Sequence, residues 1–149
     1  MKTICYFLGS VVCWFGNVQA EQMQVFNKEY LNNLLQKEKK LFITNRGKKD
    51  HTDFDHCDDY VLSHEDIKKI LINSVEITGI KLHRDYIWLP CYITGRIDSD
   101  AGTILLTIRP IGISMITFPN EEEIFLGCET QECCNEVPIM CHQPNHFNN

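Results

Sequence analysis

The stretch Trp88-Leu89-Pro90-Cys91-Tyr92-Ile93-Thr94-Gly95-Arg96-Ile97 decides the fold. From Cys91 onward its side chains alternate between two faces, which is the period of a half-buried antiparallel strand. One face holds Cys91, Ile93, Gly95 and Ile97, and the other holds Tyr92, Thr94 and Arg96. Because Pro90 has no backbone N–H to give to a neighbouring strand, it marks the start of this strand.

Short apolar runs, rich in β-branched residues and separated by turn residues, predict further strands around this one. These runs cover residues 75–82, 103–109, 113–118 and 124–128. A short helix precedes them, since Ser63 and Asp66 have the spacing of a capping box. The apolar stripe of this helix consists of Ile67, Ile70 and Leu71. A helix followed by strands predicts an α+β domain over residues 55–128, with one short helix packed on an antiparallel meander of about four or five strands.

Residues 1–20 predict a signal peptide that is not part of the fold. Lys2 gives a positive start, an apolar stretch follows, and Val18-Gln19-Ala20 is a small-residue cleavage pattern before Glu21. The apolar stretch is too short for a stable membrane span, so we expect none after cleavage. The pattern predicts an exported protein, either periplasmic or secreted.

The residues that flank the domain predict less regular structure. Residues 21–54 predict a helical arm followed by a polar linker, and the arm either packs against the domain or stays exposed for a partner. The linker extends over 44–59, where Gly47 and a run of charged residues bury little apolar area. Residues 129–149 have no usable periodicity and predict an irregular tail that cysteines hold in place.

Six cysteines follow the predicted signal peptide. They are Cys57, Cys91, Cys128, Cys133, Cys134 and Cys141. An even number of cysteines in an exported chain predicts disulfides, since an oxidising compartment lets them persist.

The meander constrains which of these cysteines pair. Alternating strands put Cys91 and Cys128 at the same end of the sheet, but about 14 Å apart at three strand spacings. A disulfide tolerates Cα atoms only to about 7 Å, so a direct bond would need a curled sheet or another strand order. Cys57 precedes the helix and can reach either partner. Of these two pairings we favour Cys57–Cys91, in which case Cys128 is bonded to Cys133, Cys134 or Cys141.

Three short motifs resemble a group of small exported bacterial proteins with cysteine-centred motifs. They are Asp55-His56-Cys57-Asp58-Asp59-Tyr60 ahead of the capped helix, Trp88-Leu89-Pro90-Cys91-Tyr92 with Gly95 on a strand, and Phe125-Leu126-Gly127-Cys128 closing the sheet. The resemblance covers residues 55–134. It implies export and an α+β architecture, and it assigns no catalytic residue.

Composition and motifs exclude several functions. The formal net charge is -6 at pH 7, and no run of lysine or arginine with interleaved aromatics offsets it, so nucleic acid is not an expected partner. The chain contains no Gly-x-Ser-x-Gly motif, and all six cysteines are able to pair. We therefore predict no catalytic residue, no enzyme activity and no cofactor.

The residues around His51, His56 and His64 gather imidazole and carboxylate groups. Such groups bind zinc and other divalent ions, but their spacing here matches no standard metal motif. We therefore predict no metal site, and keep a metal-dependent enzyme or a metal-binding protein that uses these histidines as an alternative.

The sequence favours a non-enzymatic, disulfide-bonded binding protein with a protein partner in the cell envelope, of the inhibitor or immunity type. Small size, bridges that rigidify a surface, and an acidic charge that steers toward a basic partner all agree with this interpretation. A structural envelope component without a discrete ligand is the third hypothesis.

Overall fold

The computed structural model describes residues 25–37, 41–49 and 57–141. The α-helices are α1 (Lys28–Gln36), α2 (His64–Asn73), α3 (Gly79–Asp85) and α4 (Gln131–Glu136). The strands are β1 (Leu41–Lys49), β2 (Val75–Ile77), β3 (Cys91–Ser99), β4 (Gly102–Arg109), β5 (Ile113–Thr117) and β6 (Glu123–Gly127). Two short 3₁₀ helices cover Cys57–Asp59 and Pro138–Met140.

The strands form a single antiparallel sheet in the order β1-β3-β4-β5-β6-β2. Strands β3 to β6 are the predicted meander, and the α+β class is confirmed. Instead of four or five strands the described residues supply six, because β1 and β2 pair with the two outer strands of the meander.

One face of the sheet carries the main hydrophobic core. Its strand residues, each at most 1% exposed, are Ile93, Ile97, Ile104, Leu106, Ile108, Ile116 and Leu126. The predicted stripe of α2 packs on them, with Ile67, Ile70 and Leu71 at most 1% exposed. The predicted capping box is also confirmed, since Asp66 N donates to Ser63 Oγ and Ser63 N donates to the Asp66 carboxylate.

Helix α1 packs against this core, which is the first of the two arrangements that the sequence leaves open for the arm. Leu31 is fully buried, and Leu34 and Leu35 are nearly so. The rings of Phe26 and Tyr30 lie 5.4 Å and 6.3 Å from the ring of Phe118, at the end of β5. This aromatic cluster fixes the start of the helix against the sheet.

The prediction of a polar linker over 44–59 is wrong for residues 44–49, which belong to β1. Leu41 and Ile43 pack against the core, while Phe42 and Thr44 point to the opposite face. The charged residues near Lys48 are compatible with a strand because β1 lies at the edge of the sheet, where such residues are common. Residues 50–56 lie outside the described part of the chain.

The prediction of a strand over 75–82 is right only for Val75–Ile77, since α3 follows. Thr78 starts this helix, because its side-chain oxygen accepts a hydrogen bond from the backbone N–H of Lys81. Leu82 and Tyr86, one helical turn apart, then pack together with Ile77 and Ile113 in a second, smaller core. The helical spacing of these two apolar residues therefore outweighs the β-branched residues before them.

The prediction of an irregular tail over 129–149 is also corrected in part. Thr130 caps α4 through its side-chain oxygen, which accepts from the backbone N–H of Cys133. A 3₁₀ helix follows, and both Cys133 and Met140 are fully buried. Three cysteines thus supply enough cross-linking and burial for short helices to form. Residues 142–149 and the predicted signal peptide, 1–20, lie outside the described part.

Candidate functional site

Three disulfides lie around one end of the sheet, which we call the cysteine end. They are Cys57–Cys91, Cys128–Cys133 and Cys134–Cys141, with Cα–Cα distances of 5.2 Å, 5.5 Å and 4.5 Å. The first is the favoured one of the two pairings that the sequence leaves open for Cys57. The second selects Cys133 among the three candidate partners of Cys128. The first bond fixes residue 57 to the start of β3, and the other two fix the chain after β6 to α4 and α4 to the 3₁₀ helix that follows it.

Residues 78–90, which we call the belt, cross the second face of the sheet at the cysteine end. Helix α3 covers the part of this face formed by Ile77, Ile113 and Phe125. The Tyr86 hydroxyl donates to Glu129 Oε1 at 2.6 Å, and Lys81 Nζ lies 2.5 Å from Glu129 Oε2. Burial, together with the Glu129 carboxylate, raises the pKa of Tyr86, so this hydroxyl stays a donor at physiological pH.

The second half of the belt is held by Arg109, at the end of β4. The Arg109 guanidinium carbon lies 4.3 Å from the ring centroid of Trp88 and 5.0 Å from that of Tyr92. Its Nη1 donates to the backbone carbonyl of Leu89 at 2.8 Å. Because Arg109 is only 6% exposed, its guanidinium is largely shielded from water, which strengthens its attraction to the two rings.

Beyond the belt the second face is not covered by any described helix, and we call this region the open face. Its residues are Phe42, Thr94, Arg96, Leu105, Thr107 and Met115. Thr94, Thr107 and Met115 are direct cross-strand neighbours in one row, and Arg96 lies opposite Leu105 in the next row. Leu105 is 54% exposed and Phe42 is 38% exposed. The open face thus combines polar hydroxyl groups with two large exposed apolar side chains.

Arg96 gives the open face a fixed positive group. Its guanidinium carbon lies 5.1 Å from the ring centroid of Phe42, and its Nε lies 3.6 Å from Asp98 Oδ1. The Phe42 ring restricts the guanidinium, so less side-chain entropy is lost when a partner binds it.

Strand addition at the edge of the sheet is a less suitable binding mode here than contact through the open face. Edge strand β1 has register shifts between Ile43 and Asn45 and between Asn45 and Lys48. Irregular, charged edge strands are a recognised means of preventing pairing with another chain. The other edge strand, β2, offers only three residues.

Of the three histidines of the alternative metal site, His64 alone lies in the part of the chain that the structure describes. His64 is exposed at the start of α2, while His51 and His56 lie outside the described residues. Within residues 25–37, 41–49 and 57–141, no group of three or more His, Cys, Asp or Glu side chains has a geometry that could hold a metal ion. All six cysteines of the predicted mature chain are in disulfides.

Leu105, Arg109 and the open face are not among the residues and surfaces predicted from the sequence. A signal for Leu105 was present, since Ile104 and Leu106 face the core and the residue between them must face away from it. Arg109 follows the same alternation after Ile108, but its stacking partner Trp88 is 21 positions earlier in the chain.

The fold and the site together define a disulfide-bonded α+β domain with one covered and one half-covered sheet face. No family model, curated protein or solved structure matches this chain. In the described residues, no helix has the length and apolar character that crossing a membrane requires.

Proposed function

We propose that this protein is an exported, disulfide-bonded, non-enzymatic binding protein. It binds a protein of the cell envelope through the open face, in the manner of an inhibitor or immunity protein. The open face is the observation on which the proposal depends, because Leu105 is 54% exposed at its centre. An exposed apolar side chain flanked by aromatic and arginine side chains is typical of a protein–protein contact.

The rigidity of the surface supports a binding role. The Cys57–Cys91 bond fixes the start of β3, and the Arg109–Trp88 contact fixes the belt that borders the open face. A surface that is ordered before binding loses less conformational entropy in the complex. Disulfides persist in oxidising compartments, which agrees with the export that the N-terminal sequence predicts.

Affinity capture with a matched pair of variants tests the binding proposal. The oxidised chain from residue 21 onward would be immobilised and exposed to an envelope extract, beside Leu105→Asp and Val61→Asp variants. Leu105 and Val61 are both 54% exposed, and each substitution adds one negative charge. We expect one envelope protein, identified by mass spectrometry, to bind the unmodified chain and Val61→Asp but not Leu105→Asp.

Reconstitution with the purified partner should reproduce the same order of affinities. Equal capture by all three forms, or capture of nothing above a blank resin, would contradict the proposal. Export is tested separately by N-terminal sequencing of the protein from its native cell, where we expect Glu21 as the first residue. An intact Met1 in all the protein would contradict export.

A further inference from the structure

An acidic surface borders the open face at the end opposite the cysteines. We call it the acidic rim, and it consists of Asp98, Asp100, Glu121, Glu122 and Glu123, all exposed. Asp98 and Asp100 belong to the hairpin that joins β3 to β4, and Glu121, Glu122 and Glu123 belong to the hairpin that joins β5 to β6. The turns touch, because a Cβ on Gly102 would lie 2.9 Å from the Cβ of Pro119. The two groups of acidic residues therefore lie on adjacent turns.

The acidic rim and Leu105 lie within reach of a single bound segment. Leu105 pairs with Thr117 across β4 and β5, and Thr117 pairs with Glu123 across β5 and β6. Glu123 is therefore two strands, or about 10 Å, from Leu105. A partner with an apolar side chain on Leu105 could place a lysine or arginine beside Glu123 with the next few residues.

The local charge favours one kind of partner. Among the described side chains of the open face, Arg96 is the cation, and it already contacts Phe42 and Asp98. A second copy of the chain would bring a second acidic rim to the same interface, and like charges in close contact oppose association. A basic partner would instead neutralise the rim and be attracted to it from a distance.

We propose that the open face binds a basic protein segment, whose apolar side chain packs on Leu105 and whose lysine or arginine side chains reach the acidic rim. This inference rests on the proposed function and specifies the chemistry of the partner. Leu105 supplies the desolvated centre of the contact, and the rim supplies attraction and orientation. The contact should weaken as the salt concentration rises, since exposed charges are screened.

A random 12-residue peptide library displayed on phage is the probe. Selection on the oxidised chain should enrich peptides that have a positive net charge and at least one large apolar residue. A chosen synthetic peptide would then be titrated against Leu105→Asp, against the rim variant Glu121→Gln/Glu122→Gln/Glu123→Gln, and against Asp58→Asn/Asp59→Asn/Glu65→Gln. The last variant is the matched control, because it removes three exposed carboxylates away from the rim.

We expect the affinity to fall about tenfold or more in the Leu105 and rim variants, which is a loss of about 1.4 kcal/mol or more in binding free energy. The control should fall by less than about threefold, because it changes only long-range attraction. Circular dichroism would verify that each variant is folded. Enrichment of neutral or acidic peptides, or of none, would overturn the proposal. Equal losses in the rim and control variants, or a dimer abolished by Leu105→Asp, would also overturn it.

The outcome separates this inference from the proposed function. If the captured envelope protein needs Leu105 but binds the rim variant as tightly as the unmodified chain, the binding function stands and the basic character of the partner is wrong. If no envelope protein is captured while basic peptides bind through Leu105 and the rim, the surface chemistry stands and the cellular role fails.

Discussion

The guanidinium of Arg109 lies between the rings of Trp88 and Tyr92, with its carbon 4.3 Å from the Trp88 centroid. This contact joins the end of β4 to the belt, immediately before β3 begins. The contact also makes Trp88 a fluorescent probe of the belt. In the chain from residue 21 onward, Trp88 is the single tryptophan, because the other one is Trp14.

Replacing Arg109 with leucine should loosen the belt. The variant loses the stacking contacts and the hydrogen bond to the Leu89 carbonyl, a loss of about 2–3 kcal/mol in the free energy of unfolding. Denaturant unfolding gives this number, and a red shift of the Trp88 fluorescence in the folded variant would show that the ring is more exposed. Arg109→Lys keeps the charge but not the planar stack, so it should recover only part of the stability. Full recovery would show that charge alone holds the belt.

Substituting Gly127 with alanine should displace Tyr86. A Cβ at Gly127 would overlap the Tyr86 hydroxyl, whose hydrogen bond to Glu129 holds α3 on the sheet. We expect a loss of about 2–3 kcal/mol from overpacking and the broken hydrogen bond. In a Tyr86→Phe background the overlapping oxygen is absent, so the same substitution should cost less. A double-mutant cycle of unfolding free energies measures the difference, and strictly additive costs would contradict the overlap.

The parts of the fold that the sequence predicts depend on residues that are a few positions apart in the chain. The α2 cap requires only Ser63 and Asp66 three positions apart, and the meander requires only alternating residues and turns. Strand direction leaves Cys91 and Cys128 as partners for Cys57, and the structure has the favoured one, Cys91. The cap and the meander are fixed by neighbours in the chain, whereas the choice of Cys91 for Cys57, 34 positions away, depends on the tertiary packing.

The parts that the sequence analysis misses depend on distant contacts. Strand β1 looks polar near Lys48 and becomes a strand because β3 supplies its partner. Helix α3 follows from the position of Leu82 and Tyr86 over Ile113, a contact between elements far apart in sequence. The alternation along β4 shows which face Leu105 is on, but its exposure depends on where the belt ends. The alternative metal site was suggested by histidines close together in the sequence, two of which, His51 and His56, lie outside the described residues.

The Cys57–Cys91 and Cys134–Cys141 disulfides should contribute unequally to the free energy of unfolding. By the chain-entropy estimate, closing the loop of Cys57–Cys91 contributes about 4 kcal/mol and closing that of Cys134–Cys141 about 2.5 kcal/mol. The difference arises because the sequence separations are 34 and 7. Paired serine substitutions, compared by denaturant unfolding, measure the two contributions. A larger loss from removing Cys134–Cys141 would mean that native contacts around α4, rather than loop length, determine the order.

The capping box of α2 should make part of the stability depend on pH. Hydrogen bonds from the Ser63 side chain and backbone lower the pKa of Asp66 below its value in the unfolded chain. A lowered folded-state pKa means that the stabilisation is complete above the unfolded value, near 3.8, and is lost as the pH falls through the folded value. Asp66→Asn should therefore lower stability at pH 7 and flatten the acid limb of a plot of unfolding free energy against pH.

Glu65→Gln is the matched control, because Glu65 is an exposed acid in the same helical turn that makes no capping-box hydrogen bond. Should Glu65→Gln flatten the acid limb as much as Asp66→Asn does, the pH dependence would come from the helix dipole and not from the capping box.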